Sequence, residues 1–217
     1  MKRILIVGAG DFGREMYGWL AGDRRHGLEW TVAGFLDDNV AALDRYSHYP
    51  IGVVGKISEY EPAGELLVFG IASPKVRLLL GERLLAKGGE FLTYIHPTAV
   101  VSQFTTIGRG CFVGPYSIIS TDVRVGDFVA INCSTSVGHD CVIGDGCMIN
   151  SHCDLTGHTK FGKGVFIGSS VCVVPKIKVG DFAALGAGST VVRNVKAGTT
   201  VMGHAAQRLT FTEAEAA

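Results

Sequence analysis

Apolar residues follow two different rhythms along the chain, and the rhythm changes near residue 93. Before that point, short aliphatic runs alternate with helix-like stretches. Residues 2–8 are an aliphatic run ending in glycine, 12–20 have helical character, 31–36 are strand-like, and 66–71 form another aliphatic run. Ser73-Pro74 then sets a capping residue before a proline at the first helical position, which predicts a helix to about residue 87. Strand, helix, strand, then strand and helix again predicts a small parallel α/β sheet over residues 1–92.

From Ile95 to Val191 every sixth residue is apolar, seventeen positions without an insertion. Glycine follows many of these beats, and the residue four after the beat is small or β-branched, as at Cys111, Thr135, Cys141, Cys147 and Cys153. A period of six fits a short strand plus a tight turn, three of which make one 18-residue coil of a triangular prism. The beat residue is expected to fill the prism, and the glycine to permit the backbone of the turn. Residues 18 apart then stack on one face at roughly 4.8 Å, the spacing of neighbouring strands. The second domain is therefore an all-β parallel coil over residues 93–217, with a short C-terminal tail.

The stacking rule isolates a candidate site. In "VGHDCV", residues 137–142, His139 stands at the third hexad position, a prism corner. Its neighbours 18 residues away are Thr121 and Gly157, so a residue without a side chain leaves a notch beside the imidazole. Asp140 is adjacent, and a carboxylate near an imidazole fixes its tautomer and stabilises the imidazolium. Spacing alone leaves His139 open between an exposed turn residue and a general base. A second candidate is "VGAGDFGRE", where Gly8, Gly10 and Gly13 follow a strand and enter a helix. Such glycines allow a tight turn and close approach of a diphosphate to the helix N-terminus. Asp37-Asp38 end the next strand, where acids of such folds meet a ribose or a base.

Charge narrows the partners. Twenty basic and twenty acidic residues cancel, so no net field would hold nucleic acid or an anionic membrane. The opening apolar run reaches glycine too soon for a signal peptide or a membrane span. Six cysteines without a CxxC pair point to a reducing cytoplasm and to small hydrophobes in the inward slot. Lys160, Lys163, Lys176, Lys178 and Arg193 gather in the later coils, open between a solvated face and contacts to the phosphates of a ligand.

Unbroken hexads such as Val137-Gly-His-Asp-Cys-Val and Ile143-Gly-Asp-Gly-Cys-Met, behind a GxGxxG-type domain, resemble the hexapeptide-repeat acyltransferases. The closer resemblance is to the sialic-acid O-acetyltransferase and bacillosamine-type nucleotide-sugar N-acetyltransferase group. It spans essentially the whole chain. It implies a Rossmann-like N-terminal domain and a left-handed coil, a hand the usual crossover preference would not have favoured. It also implies acetyl-CoA as co-substrate, a nucleotide-linked sugar as acceptor, a homotrimer, and no metal. His139 maps to the family's catalytic base and Asp140 to its acidic partner. Asn132 maps to a residue on the acceptor sugar, with Gly8, Gly10, Asp11, Phe12, Gly13, Asp37 and Asp38 along the sugar nucleotide. Met148, Gly157, Ser169 and Ala187 are expected beside coenzyme A, with the Gly157 N–H as oxyanion donor. Two departures from the pattern stand out: Met148 replaces a histidine, and Asp11-Phe12 replaces the usual Gly-His of the loop. The expected activity is acetyl transfer to an amino or hydroxyl group of the sugar, for surface-glycan synthesis. Two other classes compete: a zinc carbonic anhydrase using His139, His152 and His158, whose spacing lacks that fold's close histidine pair, and a non-catalytic nucleotide-sugar-binding protein.

Overall fold

A computed structural model describes residues 1–203; the end of the expected C-terminal tail, from residue 204, lies outside the described residues. The first rhythm becomes β1 (Lys2–Val7), α1 (Asp11–Gly22), β2 (Trp30–Leu36), β3 (Val53–Gly55), β4 (Leu66–Phe69), α2 (Pro74–Ala86) and β5 (Glu90–Phe91). The five strands form one parallel sheet in the order β3-β2-β1-β4-β5. Alternate side chains of β1 serve opposite faces, as the strand period requires. Ile4 and Ile6 pack with Met16 and Leu20 of α1, whereas Leu5 and Val7 pack with Leu84 of α2. Ser73 does precede α2, but its hydroxyl makes no capping hydrogen bond. No helix among the described residues is long and apolar enough to cross a membrane.

The second rhythm becomes a parallel β-helix. Seventeen two-residue strands run from β6 (Tyr94–Ile95) to β22 (Thr190–Val191), each ending on a beat residue. Partners lie 18 residues apart, as in Ile119↔Val137, Val125↔Ile143 and Ile131↔Ile149. Every third strand joins one of three sheets, and β23 (Thr200–Val201) completes one of them. The last coil is shorter: Val195 pairs with Val179 and Val201 with Leu185, a step of 16. Val113, Ile131, Ile149 and Ile167 are fully buried in the prism, and each such side chain contributes about 1.5–3 kcal/mol.

The structure corrects the role given to the glycines. Positive φ occurs at the fourth hexad position, where Tyr116, Asp122, Phe128, Ser134, Asp140, His152 and His158 all adopt it. The glycine after the beat serves space instead. A Cβ on Gly144 would come within 2.6 Å of the Gly162 backbone, and one on Gly138 within 2.6 Å of the Gly157 nitrogen. Left-handed non-glycine residues cost about 1–3 kcal/mol each. A hydrogen bond offsets part of that at most levels: the Asp140 N–H donates to Thr121 O at 3.2 Å and the His158 N–H to His139 O at 2.9 Å.

Both helices of the N-terminal unit reach the coil. Phe12, Met16 and Leu20 share one apolar cluster with Tyr94, Phe112, Ala130 and Met148 on the outer face of one sheet. Across a neighbouring corner, Gly81 of α2 lies so close to the Phe128 ring that a Cβ would sit 2.6 Å from it. Arg77 is fully buried there, its Nε donating to Phe128 O and its Nη1 to Ile71 O, both at 2.9 Å.

Candidate active site

Val137 and Ile143, each 1 % exposed, anchor the two strands that flank the His139 corner. The left-handed backbone of Asp140, φ 59°, turns its carboxylate back onto the preceding side chain. His139 Nδ1–H donates to Asp140 Oδ2 at 2.7 Å. That bond selects the tautomer whose free lone pair is on Nε2. The hydrogen bond from His139, and then the nearby charges of His158 and Arg124, hold the Asp140 carboxyl below its usual range.

Gly157 stacks where the 18-residue rule puts it, but the notch is not empty. The imidazole itself lies over Gly157, and a Cβ there would meet Nε2 at 2.7 Å. The glycine makes room for the ring. The backbone amides at this corner are also bare of side-chain acceptors. At the next corner the third-position amides donate to aspartates 18 residues on: Arg109 N–H to Asp127 Oδ1 at 2.8 Å, Asp127 N–H to Asp145 Oδ1 at 2.8 Å, and Lys163 N–H to Asp181 Oδ1 at 2.9 Å. Eighteen residues beyond His139 and Gly157 stand Gly157 and Pro175, which offer no acceptor side chain. A cavity of about 370 Å³ lined by Phe104, Thr106, Asp122, Arg124 and Asp140 opens beside the pair.

In the sequence His158 figures only among the candidate zinc ligands of a competing reading, and the structure brings it beside His139 and Asp140. It stands 18 residues beyond Asp140, and its ring meets that of His139 edge-on at 4.9 Å. Its Nδ1 lies 3.8 Å from Asp140 Oδ2. Applying the stacking rule to Asp140 as well as to His139 finds it.

The glycine loop forms a second concavity. Gly8, φ 100°, ends β1, and Gly13 and Gly70 press against it so tightly that a Cβ on Gly70 would lie 2.6 Å from Gly8 O. Gly10 caps α1 in open space. Asp37 accepts the Ala9 N–H at 2.8 Å and the Asn39 N–H at 2.9 Å, holding the loop. Asp38 accepts from the Ser58 N–H and hydroxyl, and those bonds lower its pKa. Asp11 is exposed and accepts from Arg14 Nη2 at 2.5 Å, so a cation already stands beside the unexpected acid. Gly8, Gly10, Asp11, Asp37, Asp38 and Gly70 all line a cavity of about 570 Å³.

Three expected ligand contacts are largely taken up in packing or turn contacts. Phe12 lines the same cavity, but it is 7 % exposed and meets Phe112 edge-on at 5.9 Å, so most of its ring packs under α1. Met148 is 2 % exposed in the same layer, which closes it to coenzyme A. Asn132 is 7 % exposed and its Oδ1 accepts the Cys133 N–H at 3.0 Å, a turn contact. Outward residues of a strand read as surface until a helix covers them, and the sequence rhythm does not say where α1 lies. Ser169 and Ala187 are exposed and stack at a different corner from His139. The inward cysteines are core: burial pushes Cys111 and Cys147 up to about 12, which removes them as nucleophiles at neutral pH.

No family model matches the chain. The GDP-perosamine N-acetyltransferase of Escherichia coli O157:H7 is 30 % identical over 127 residues, which is 58 % of this chain and 58 % of that relative's own length. In solved structures the likeness extends over nearly everything described above. PerB from Caulobacter crescentus, in complex with CoA and GDP-perosamine, superposes with a TM-score of 0.82 at 28 % identity, covering 94 % of this chain and 95 % of that one. The acetyltransferase domain of PglB from Neisseria gonorrhoeae FA1090, in complex with acetyl coenzyme A, gives 0.82 at 26 % identity and covers 96 % and 99 %. The chain is thus similar to a GDP-perosamine N-acetyltransferase in sequence and to PerB and the PglB acetyltransferase domain in fold. The likeness in fold spans both the glycine-loop unit and the β-helix.

Proposed function

We propose that the chain transfers the acetyl group of acetyl-CoA to an amino group of a nucleotide-linked sugar, for surface-glycan synthesis in the cytoplasm. The observation that carries this reading is the 2.7 Å His139–Asp140 pair with Nε2 turned over Gly157. His139 Nε2 takes the proton of the acceptor amine as its nitrogen attacks the thioester carbonyl. The new C–N bond leaves a tetrahedral oxyanion, for which the Gly157 N–H is the proposed donor. Collapse breaks the C–S bond, and the imidazolium returns its proton to the coenzyme A thiolate. Asp140 orients the ring and stabilises the imidazolium. An amine is preferred to a hydroxyl because the relatives named above are N-acetyltransferases.

The finer architecture follows the same reading. Residues 1–92 act as a Rossmann-like nucleotide-sugar domain, and the described part of the second domain, from residue 93 to 203, as a left-handed β-helix. The first is supported by Gly8 and Gly70 at the carboxyl ends of β1 and β4, the adjacent strands where the strand order reverses. Gly8, Gly10, Asp11, Gly13, Asp37 and Asp38 surround the nucleotide there. Three chains pack side by side as a homotrimer with acetyl-CoA in the shared clefts, flanked by Ser169 and Ala187. Val100, Phe104, Tyr116 and Ile118, all more than half exposed on the first coils, support such an assembly.

The test is incubation with acetyl-CoA and a panel of GDP-, UDP- and dTDP-linked amino sugars, following free thiol and acetylated product by mass spectrometry. Transfer to one of them is expected, from a particle close to three times 23.0 kDa by light scattering. Tight binding of a nucleotide sugar without transfer to any would make this a binding protein. A fully active monomer would end the shared site.

A further inference from the structure

We propose that His139, Asp140 and His158 form a capture site for a divalent transition-metal ion of the zinc type, and that occupying it switches the base off. The inhibitory step rests on the reading of His139 as base; the binding step does not. One ligand atom from each of the three side chains falls within 4.8 Å of the others. His139 Nδ1 is 2.7 Å and His158 Nδ1 3.8 Å from the same Asp140 oxygen. Donors around a tetrahedral zinc with bonds of about 2.0–2.1 Å stand about 3.3 Å apart, between those two distances. Small side-chain rotations close the set, and all three side chains are about half exposed and free to make them.

Position and donor chemistry agree. The 18-residue stack places His158 directly beyond Asp140, and the His158 N–H donates to His139 O, so the backbone fixes both ligands to one corner. Two imidazoles and one carboxylate suit zinc, nickel or cobalt, whereas magnesium and calcium take oxygen. Three protein ligands leave an open position for water, unlike the closed four-ligand set of a structural zinc.

The consequence for chemistry is specific. A metal on Nδ1 of His139 displaces the Nδ1 proton, and the ring then carries its proton on Nε2. Nε2 is the atom that must accept the proton of the acceptor amine. An occupied site thus holds the base in the wrong tautomer, and the ion also takes Asp140 from its orienting role.

The experiment is calorimetric titration of metal-free protein with Zn²⁺, beside the His158→Gln variant, with Mg²⁺ as a control. One Zn²⁺ per chain is expected, no measurable Mg²⁺ binding, and affinity about tenfold or more weaker in His158→Gln. Acetyl transfer by the wild type should fall on adding Zn²⁺ and return with a chelator. His158→Gln, whatever its own metal-free rate, should keep that rate when the ion is added. Zn²⁺ binding unchanged in His158→Gln, as an ion held by Cys133 or Cys172 would give, overturns the proposal, and so does absence of binding. Calorimetry needs no sugar or coenzyme, so its failure is separable from a failure of the acetyl-transfer reading.

Discussion

Two corners of the same coil share a backbone and differ in what stands at the third hexad position. At the corner of Asp127, Asp145 and Asp181, each carboxylate accepts an amide from the level 18 residues before it, and Leu78 and Gly81 of α2 cover the turn. At the corner of His139 and Gly157 no carboxylate caps the stack, and His139 and Asp140 stay about half exposed. The first corner spends its polar groups on itself and is closed in that sense, although Asp145 and Asp181 remain at the surface. The second leaves an imidazole, a carboxylate and bare amides facing solvent. One repeat therefore builds both scaffold and site, and the side chains at the turn positions decide which.

The largest expected break is at the open corner. His139→Ala should lower acetyl transfer by about 10²–10⁴-fold and leave the melting temperature nearly unchanged, since an exposed side chain fills no cavity. Full activity in that variant would remove His139 from the chemistry. Paired glycines sharpen the contrast. Gly157→Ala puts a Cβ 2.7 Å from His139 Nε2, the mobile end of a side chain that swings aside. Transfer should fall about tenfold or more, with little change in melting. Gly126→Ala instead puts a Cβ 2.8 Å from the Asp145 backbone nitrogen. The coil must give way, at about 1–3 kcal/mol, and kcat measured below the melting temperature should hold. If both glycines acted alike, the division between site and scaffold would fail.

The beats make the coil legible, because an apolar residue every six positions matches neither the period of a helix nor that of a flat strand, and the 18-residue register then follows. The same arithmetic places Gly157 against His139. It reaches His158 too, which becomes visible only when the rule is applied to Asp140. What the rhythm does not carry is which outward face is covered. Met148 and Phe112 look like surface positions, yet both are 2 % exposed because α1 lies on them. Asn132 shows a related limit of spacing: a turn asparagine has the same period whether it holds a ligand or its neighbour's amide, and here its Oδ1 holds the Cys133 amide. The strands β3 and β5, three and two residues long, are too short to show a period. In α2 the helix start is readable from Ser73-Pro74, but the buried Arg77 beneath it is not, since its partners are two backbone carbonyls, one of them on the coil at Phe128.

The smallest expected effect is at the closed corner, where the caps are many and each is weak. Asp127 accepts from the Arg109 amide and guanidinium, the latter at 2.6 Å. Burial alone would raise its pKa, but the hydrogen bonds from Arg109 outweigh that and hold it below the ordinary carboxylate range. A depressed folded pKa means the carboxylate stabilises the fold fully above the unfolded value, near 4. That contribution is lost as pH falls through the folded value. Asp127→Ala should therefore cost about 1 kcal/mol at pH 7, seen as a few degrees in a thermal melt, with acetyl transfer unchanged. Repeated in progressively stronger acid, the melts of wild type and variant should converge, because protonation removes from the wild type what the substitution removed from the variant. A gap as wide in acid as at pH 7 would mean that packing of the side chain, and not its charge, closes this corner.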